Sequence, residues 1–186
     1  MYSVLANLND VTNKEVLLTN EFQPNVEAIL EAVDANTKII FLCSPNNPTG
    51  NSFSDESVVY LLNNFKGLVV IDEAYIDFST KASWVNELDA YPNLVITQTL
   101  SKAYGLAGIR LGICYASEAI IGVLNKIKPP YNVNELTQQR AIERLQQPAK
   151  IDLEIASIIA QRELLLKALL KVNFVEVVYP TEANFV

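Results

Sequence analysis

Three polar clusters hold the residue types that could do chemistry in this chain: SPNNPTG at 44–50, DEAY at 72–75 and TLSKAYGLAGIR at 99–110. Asp72 closes the apolar run LVVID, and a carboxylate at the end of such a run is costly to bury unless it meets a positive charge. It therefore reads either as the partner of a cation or as a cap or loop anchor. Lys102 stands between Ser101 and Ala-Tyr-Gly, in a segment with few other charges. A lysine so placed either snorkels to solvent or sits in a pocket where desolvation turns its amine into a nucleophile. Asn47 lies in PNNPTG, where turn chemistry alone accounts for Asn, Pro and Gly. After Lys102 come Gly105, Gly108 and Gly112, which suit a tight return of the backbone. Their spacing is not that of a dinucleotide fingerprint.

Each cluster follows a candidate strand. The β-rich apolar runs are KEVLL (14–18), KIIFLC (38–43), LVVID (68–72), NLVITQT (93–99) and RLGICYA (110–116). Helical spacing of apolar residues appears over 25–33, 54–65, 117–127, 135–145 and 151–172, with a loop KPPYNVN before the fourth. Strands separated by helices predict an α/β fold, a mainly parallel sheet with helices on both faces. Continuous runs such as LVVI suit strands covered on both sides. In open α/β sheets ligands bind beyond the carboxyl ends of the strands. The intervals from Asn47 to Asp72 and from Asp72 to Lys102 are each close to one strand-helix-strand unit, so the three clusters can converge on one crevice.

Taken in order, SPNNPTG, VVIDEAYIDFS and QTLSKAYGLAGIRLG resemble the fold-type I, class I/II pyridoxal-phosphate (PLP) aminotransferases. The segment ASEAIIGVLNKIKPPYNVNELTQQ extends that resemblance across essentially the whole chain. The resemblance implies a large PLP-binding domain of three α/β/α layers, with Lys102 holding the cofactor as a Schiff base and then shuttling a proton as general acid and base. It implies that Asp72 pairs with the protonated pyridine nitrogen, keeping the ring an electron sink. Asn47 and Tyr75 match the family's donors to the cofactor's phenolic oxygen. Thr99, Ser101 and Arg110 match its phosphate ligands, where two hydroxyls and a guanidinium fork suit a dianion.

The implied reaction is transamination between an amino substrate and a 2-oxo acid, by a homodimer. The wording of the loop KPPYNVN is similar to members that convert histidinol phosphate and 2-oxoglutarate into imidazole acetol phosphate and glutamate, in histidine biosynthesis. Aspartate or aromatic aminotransferases and phosphothreonine decarboxylases share the cofactor residues, and a truncated, non-catalytic piece is a further alternative. The family's phosphate-binding glycine segment, its ring-stacking aromatic and its substrate-gripping arginine find no match here. Tyr2 lies close to the position of the stacking aromatic but is not assigned that role.

Composition narrows the classes independently. With 14 Lys+Arg against 21 Asp+Glu, the net charge is −7, which disfavours a nucleic-acid partner. The chain has no histidine, which removes Ser-His-Asp and Cys-His catalysis and nearly every common zinc site. LVVIDEAY also resembles the strand that binds magnesium in P-loop ATPases, but no Gly-Lys pair exists to close a phosphate loop. TLSK lacks the Ser-x-x-Lys start and the following Lys-Thr-Gly of penicillin-binding proteins. Cys43 and Cys114 each lie inside an apolar run and read as buried packing thiols in a reducing cytoplasm. No run approaches the roughly 20 apolar residues of a membrane span.

The 186 residues suffice for a sizeable core. The expected organisation is a partial PLP-binding domain over 1–150, then an interdomain helix and the beginning of a small C-terminal domain over 151–186. A helix without a cap at the start, and strand signals in FVEVVYP (174–180) and the closing ANFV, read as an internal fragment.

Overall fold

The computed structural model describes residues 2–186. Four strands form one mixed sheet in the order β1 (Ile39–Cys43), β2 (Leu68–Asp72), β3 (Leu94–Thr99), β4 (Gly112–Ala116). The first three are parallel, with Cys43 beside Asp72 and Asp72 beside Thr97. β4 turns back antiparallel, pairing Gly112 with Thr99. Six helices flank the sheet: α1 (Tyr2–Leu8), α2 (Val26–Ala32), α3 (Asp55–Asn64), α4 (Glu118–Ile127), α5 (Glu135–Leu145) and α6 (Pro148–Leu169). This is the expected α/β class.

Local chemistry accounts for the helix starts. The side chains of Asn25, Ser54 and Asn134 accept hydrogen bonds from the backbone N–H groups of Ala28, Ser57 and Thr137 at 3.1, 3.2 and 2.9 Å. Each satisfies a donor the helix leaves orphaned. Asp55 and Glu56 add negative charge to the first turn of α3, where the dipole favours it. Between α3 and β2, Gly67 is required by close approach, since a Cβ there would sit 2.3 Å from the Lys38 carbonyl oxygen.

The main core lies on one face of the sheet. Ile40, Leu42, Val69, Ile71, Leu94 and Ile96 pack with Val58, Leu61, Leu62 and Phe65 around α3, and with Val26 of α2. Full burial of one such side chain contributes about 1.5–3 kcal/mol. α3 makes the β1–β2 crossover, as expected. The β2–β3 crossover carries instead two short 3-10 turns, Ile76–Phe78 and Trp84–Glu87. Trp84, Val85, Leu88 and Tyr91 of this crossover cover the same core.

Several expectations are corrected. Residues 14–18 and 174–180 form no strand. Leu17 is 86% exposed and Phe174 83%. β-prone residues make a strand only where a neighbouring ladder accepts their backbone, and none does so there among the described residues. β1 alternates, with Ile39 and Phe41 about half exposed, so it is not covered on both sides as β2 is. The start of β4 falls two residues later than expected, because Arg110 takes a left-handed conformation, φ 54°. Cys114 on this edge strand is exposed, not a packed thiol.

Candidate active site

The site grows from the carboxyl ends of β1, β2 and β3. Beyond Cys43 and Asp72 the ladder continues for one more rung, with Ser44 N–H donating to the Asp72 carbonyl at 3.0 Å and Glu73 N–H to the Thr97 carbonyl at 2.8 Å. Successive side chains on a strand point to opposite faces. Asp72 therefore shares the face of Val70, away from the main core, while Glu73 continues the core face of Val69 and Ile71.

The Asp72 carboxylate is held at both oxygens. Ala74 N–H donates to Oδ1 at 3.1 Å, and the Tyr2 hydroxyl donates to Oδ2 at 2.6 Å. Tyr2 stacks on Phe41 of β1, ring centroids 4.9 Å apart at 21°. Burial, then the neighbouring Asp72 carboxylate through its hydrogen bond and its charge, pushes the Tyr2 hydroxyl far above the ordinary phenol range. Burial and the Asp72 charge also raise the Cys43 thiol, Cys43 being the β1 neighbour of Asp72.

Tyr75 is buried, and its hydroxyl accepts a hydrogen bond from Asn47 Nδ2 at 2.8 Å. The phenolic proton of Tyr75 is left to donate elsewhere. Lys102 Nζ lies over the Tyr75 ring, 5.1 Å from its centroid. Among the described residues Lys102 makes no ion pair. Its loop is pinned by backbone bonds at both sides, Gly105 N–H to the Lys102 carbonyl at 3.0 Å and Leu106 N–H to the Leu100 carbonyl at 2.9 Å. Gly105 supplies the left-handed turn at φ 67°. Gly108 and Gly112 do not share that conformation.

Thr99 ends β3, and its hydroxyl accepts from Ser101 N–H at 3.1 Å. Leu100 N–H donates to the Leu111 carbonyl at 3.1 Å, which brings the exposed Arg110 to the same end of the sheet. Arg110 Nη1 donates to the Ala107 carbonyl at 2.9 Å. Asn47, Tyr75 and Lys102 are thus in one contact chain, Asp72 lies across the adjacent strand end, and Thr99, Ser101 and Arg110 gather around the β3–β4 turn.

An amine, a carboxylate, a phenol backed by an amide, two hydroxyls and a guanidinium form a donor set that fits PLP. The residue types match its aldehyde, pyridinium nitrogen, phenolic oxygen and phosphate. Among the described residues no group of three or more His, Cys, Asp or Glu side chains could hold a metal ion. No helix among them is long and apolar enough to cross a membrane.

The family model for aminotransferase class I and II matches residues 1–186. The chain belongs to the class I and II aminotransferases. It is similar to the histidinol-phosphate aminotransferase of Flavobacterium johnsoniae, 82% identical over 186 residues that make up the whole chain and 53% of that protein. The histidinol-phosphate aminotransferase of Clostridium acetobutylicum superposes with a TM-score of 0.88 at 25% identity, over 98% of this chain and 56% of that one. The Sinorhizobium meliloti enzyme, solved with pyridoxal-5'-phosphate, shares the fold with a TM-score of 0.87 at 22% identity, over 98% of this chain and 50% of that one. The chain spans about half the length of the curated relatives it matches.

Two residues around this candidate site are not singled out by the sequence. Glu73 is fully buried and accepts from Ser83 Oγ at 2.6 Å, Trp84 N–H at 2.7 Å and Gln98 Nε2 at 2.8 Å, fastening the β2–β3 crossover. Arg162 of α6 donates to the carbonyls of Phe78 at 3.2 Å and Ala183 at 2.8 Å. It thereby ties the turn after Tyr75 to the tail whose Phe185 meets the Tyr75 ring edge-on, centroids 5.3 Å apart. The Asp-Glu pair is a local signal for Glu73; Arg162 has none, being one charge among several on a long helix.

Proposed function

We propose that this chain carries the cofactor-binding part of a PLP-dependent transaminase acting on histidinol phosphate, with 2-oxoglutarate as amino acceptor. The single observation that carries the reading is the contact chain from Asn47 through Tyr75 to Lys102, set beside Asp72 at the parallel strand ends. The substrate rests on the similarity to the Flavobacterium johnsoniae enzyme. The cofactor rests on the family and on the PLP-bound fold neighbour.

In this reading Lys102 anchors the cofactor covalently and, once released, moves a proton between the substrate Cα and the cofactor. Asp72 faces the pyridine nitrogen as a fixed negative charge. Tyr75, its hydroxyl backed by the Asn47 amide, donates to the phenolic oxygen. Thr99, Ser101 and Arg110 bind the phosphate. Bound PLP supplies the electron sink that acidifies the substrate Cα–H. Residues 1–150 are part of the PLP-binding domain, and 151–186 comprise the interdomain helix and the beginning of a small C-terminal domain. The working enzyme is a cytoplasmic homodimer.

Absorption spectra of the purified chain with PLP, before and after histidinol phosphate, test this. A visible band that bleaches to the amine form with histidinol phosphate, and returns with 2-oxoglutarate, is expected. A spectrum that remains that of free PLP overturns activity in this chain.

A further inference from the structure

We propose that Tyr2 is a positioning residue that aims the Asp72 carboxylate at the pyridine nitrogen of the cofactor. The inference rests on the reading of Asp72 given above. Three observations carry it. The Tyr2 hydroxyl donates to Asp72 Oδ2 at 2.6 Å across 70 residues of sequence. The ring that carries this hydroxyl is itself located by stacking on Phe41, whose backbone neighbour in β2 is Val70, two residues before Asp72 on the same face. The second carboxylate oxygen is taken by Ala74 N–H.

A carboxylate free to rotate would offer a pyridinium N–H an acceptor in many orientations, each with an ordering cost when the cofactor binds. With one donor on each oxygen, the plane of the Asp72 carboxylate is set before the cofactor arrives. Each ionised carboxylate oxygen has a second lone-pair direction, so neither bond blocks the third. Burial and the adjacent negative charge keep the Tyr2 hydroxyl protonated, so the group acts as a donor only and never competes as an anion. Tyr2 touches neither substrate nor reacting atoms in this role; it acts through Asp72.

The test uses the whole chain loaded with PLP. Tyr2→Phe keeps the ring against Phe41 and removes only the hydroxyl. The lysine-bound band should still form and reduce with borohydride. The PLP dissociation constant should rise by about three- to tenfold. The pH midpoint of the band should move up, because a ring nitrogen less firmly paired withdraws less charge from the lysine-bound end. In an Asp72→Asn background the same substitution should change neither quantity, since the partner is already altered.

A Tyr2→Phe chain with wild-type affinity and midpoint, or one whose effects persist undiminished beside Asp72→Asn, overturns the positioning role. If Tyr2→Phe does not fold, 3-fluorotyrosine at position 2 keeps the hydroxyl, and its 19F resonance should shift on adding PLP. An unmoved resonance with PLP bound overturns the proposal. A wild-type chain that forms no lysine-bound band refutes the underlying cofactor reading instead.

Discussion

The two sides of the β2 end make opposite use of adjacent carboxylates. On the core side, Glu73 is sealed under the 83–85 turn, with side-chain and backbone donors converging on it. On the other side, Asp72 is only partly buried, and the other candidate residues at the carboxyl ends of the strands, Asn47, Lys102 and Arg110, are exposed. One carboxylate is consumed by the fold, whereas the other is oriented by two donors and left with capacity for a third partner. A one-residue step along a strand is enough to separate structure from chemistry, because the side-chain period is two.

The largest effect expected is on the open side. Lys102→Ala removes the amine over the Tyr75 ring, and should abolish the borohydride-reducible visible band and cut any transaminase rate by roughly 100- to 10,000-fold. A band that survives and still reduces would sink the assignment of Lys102. The paired substitutions Glu73→Ala and Asp72→Asn sharpen the contrast. Glu73→Ala strands several part-buried donors and should lower unfolding free energy by about 3 kcal/mol, read from urea melts. Asp72→Asn should cost under about 1 kcal/mol in the same melts while weakening PLP binding. Equal losses of stability from the two would erase the distinction.

A third test probes the clamp between 50–52, 79–80 and the tail. Glu182 accepts from Ser52, from Ser79 at 2.8 Å and from Thr80 at 3.0 Å, while its backbone N–H donates to the Gly50 carbonyl at 2.7 Å. Burial pushes this carboxyl up, but the three hydroxyl donors and the Lys81 charge outweigh burial and hold it below the usual range. A carboxyl held lower in the folded than in the unfolded chain adds stability above its unfolded value, about 4.3, and loses it as pH falls through the folded value. The melting temperature should therefore drop less steeply below that pH in Glu182→Gln than in the wild-type chain. Identical acid limbs in thermal scans would show that the clamp is not electrostatic. The smallest effect is local to α3, where Ser54→Ala removes the cap on Ser57 N–H and should cost about 1 kcal/mol, with no change in the PLP band.

What sequence reading achieved follows the range of the interactions involved. Strands β1, β2 and β3 and helices α2, α3 and α5 lie within a residue or two of where the sequence predicts them, because apolar period and capping side chains are local signals. The runs 14–18 and 174–180 have equal strand propensity, but propensity does not create a partner ladder. Cys114 reads as a packed thiol from its neighbours, yet β4 is the edge of the sheet, and edge position is a property of topology. The β2–β3 crossover, where the sequence shows no helical spacing, is built from 3-10 turns and fastened by Glu73 at Ser83 and Trp84.

By itself the sequence determined the chain's family and its α/β class and offered seven polar residues as candidates for the proposed site, since ordered motifs at strand ends survive without coordinates. Only the tertiary structure decided which of them touch: that Asn47 backs Tyr75, that Lys102 lies over its ring, and that Tyr2 reaches Asp72. Those contacts span 28, 27 and 70 positions of chain, and no local rule of spacing encodes them. They exist because parallel strands bring their carboxyl ends to one edge and alternate their side chains across it.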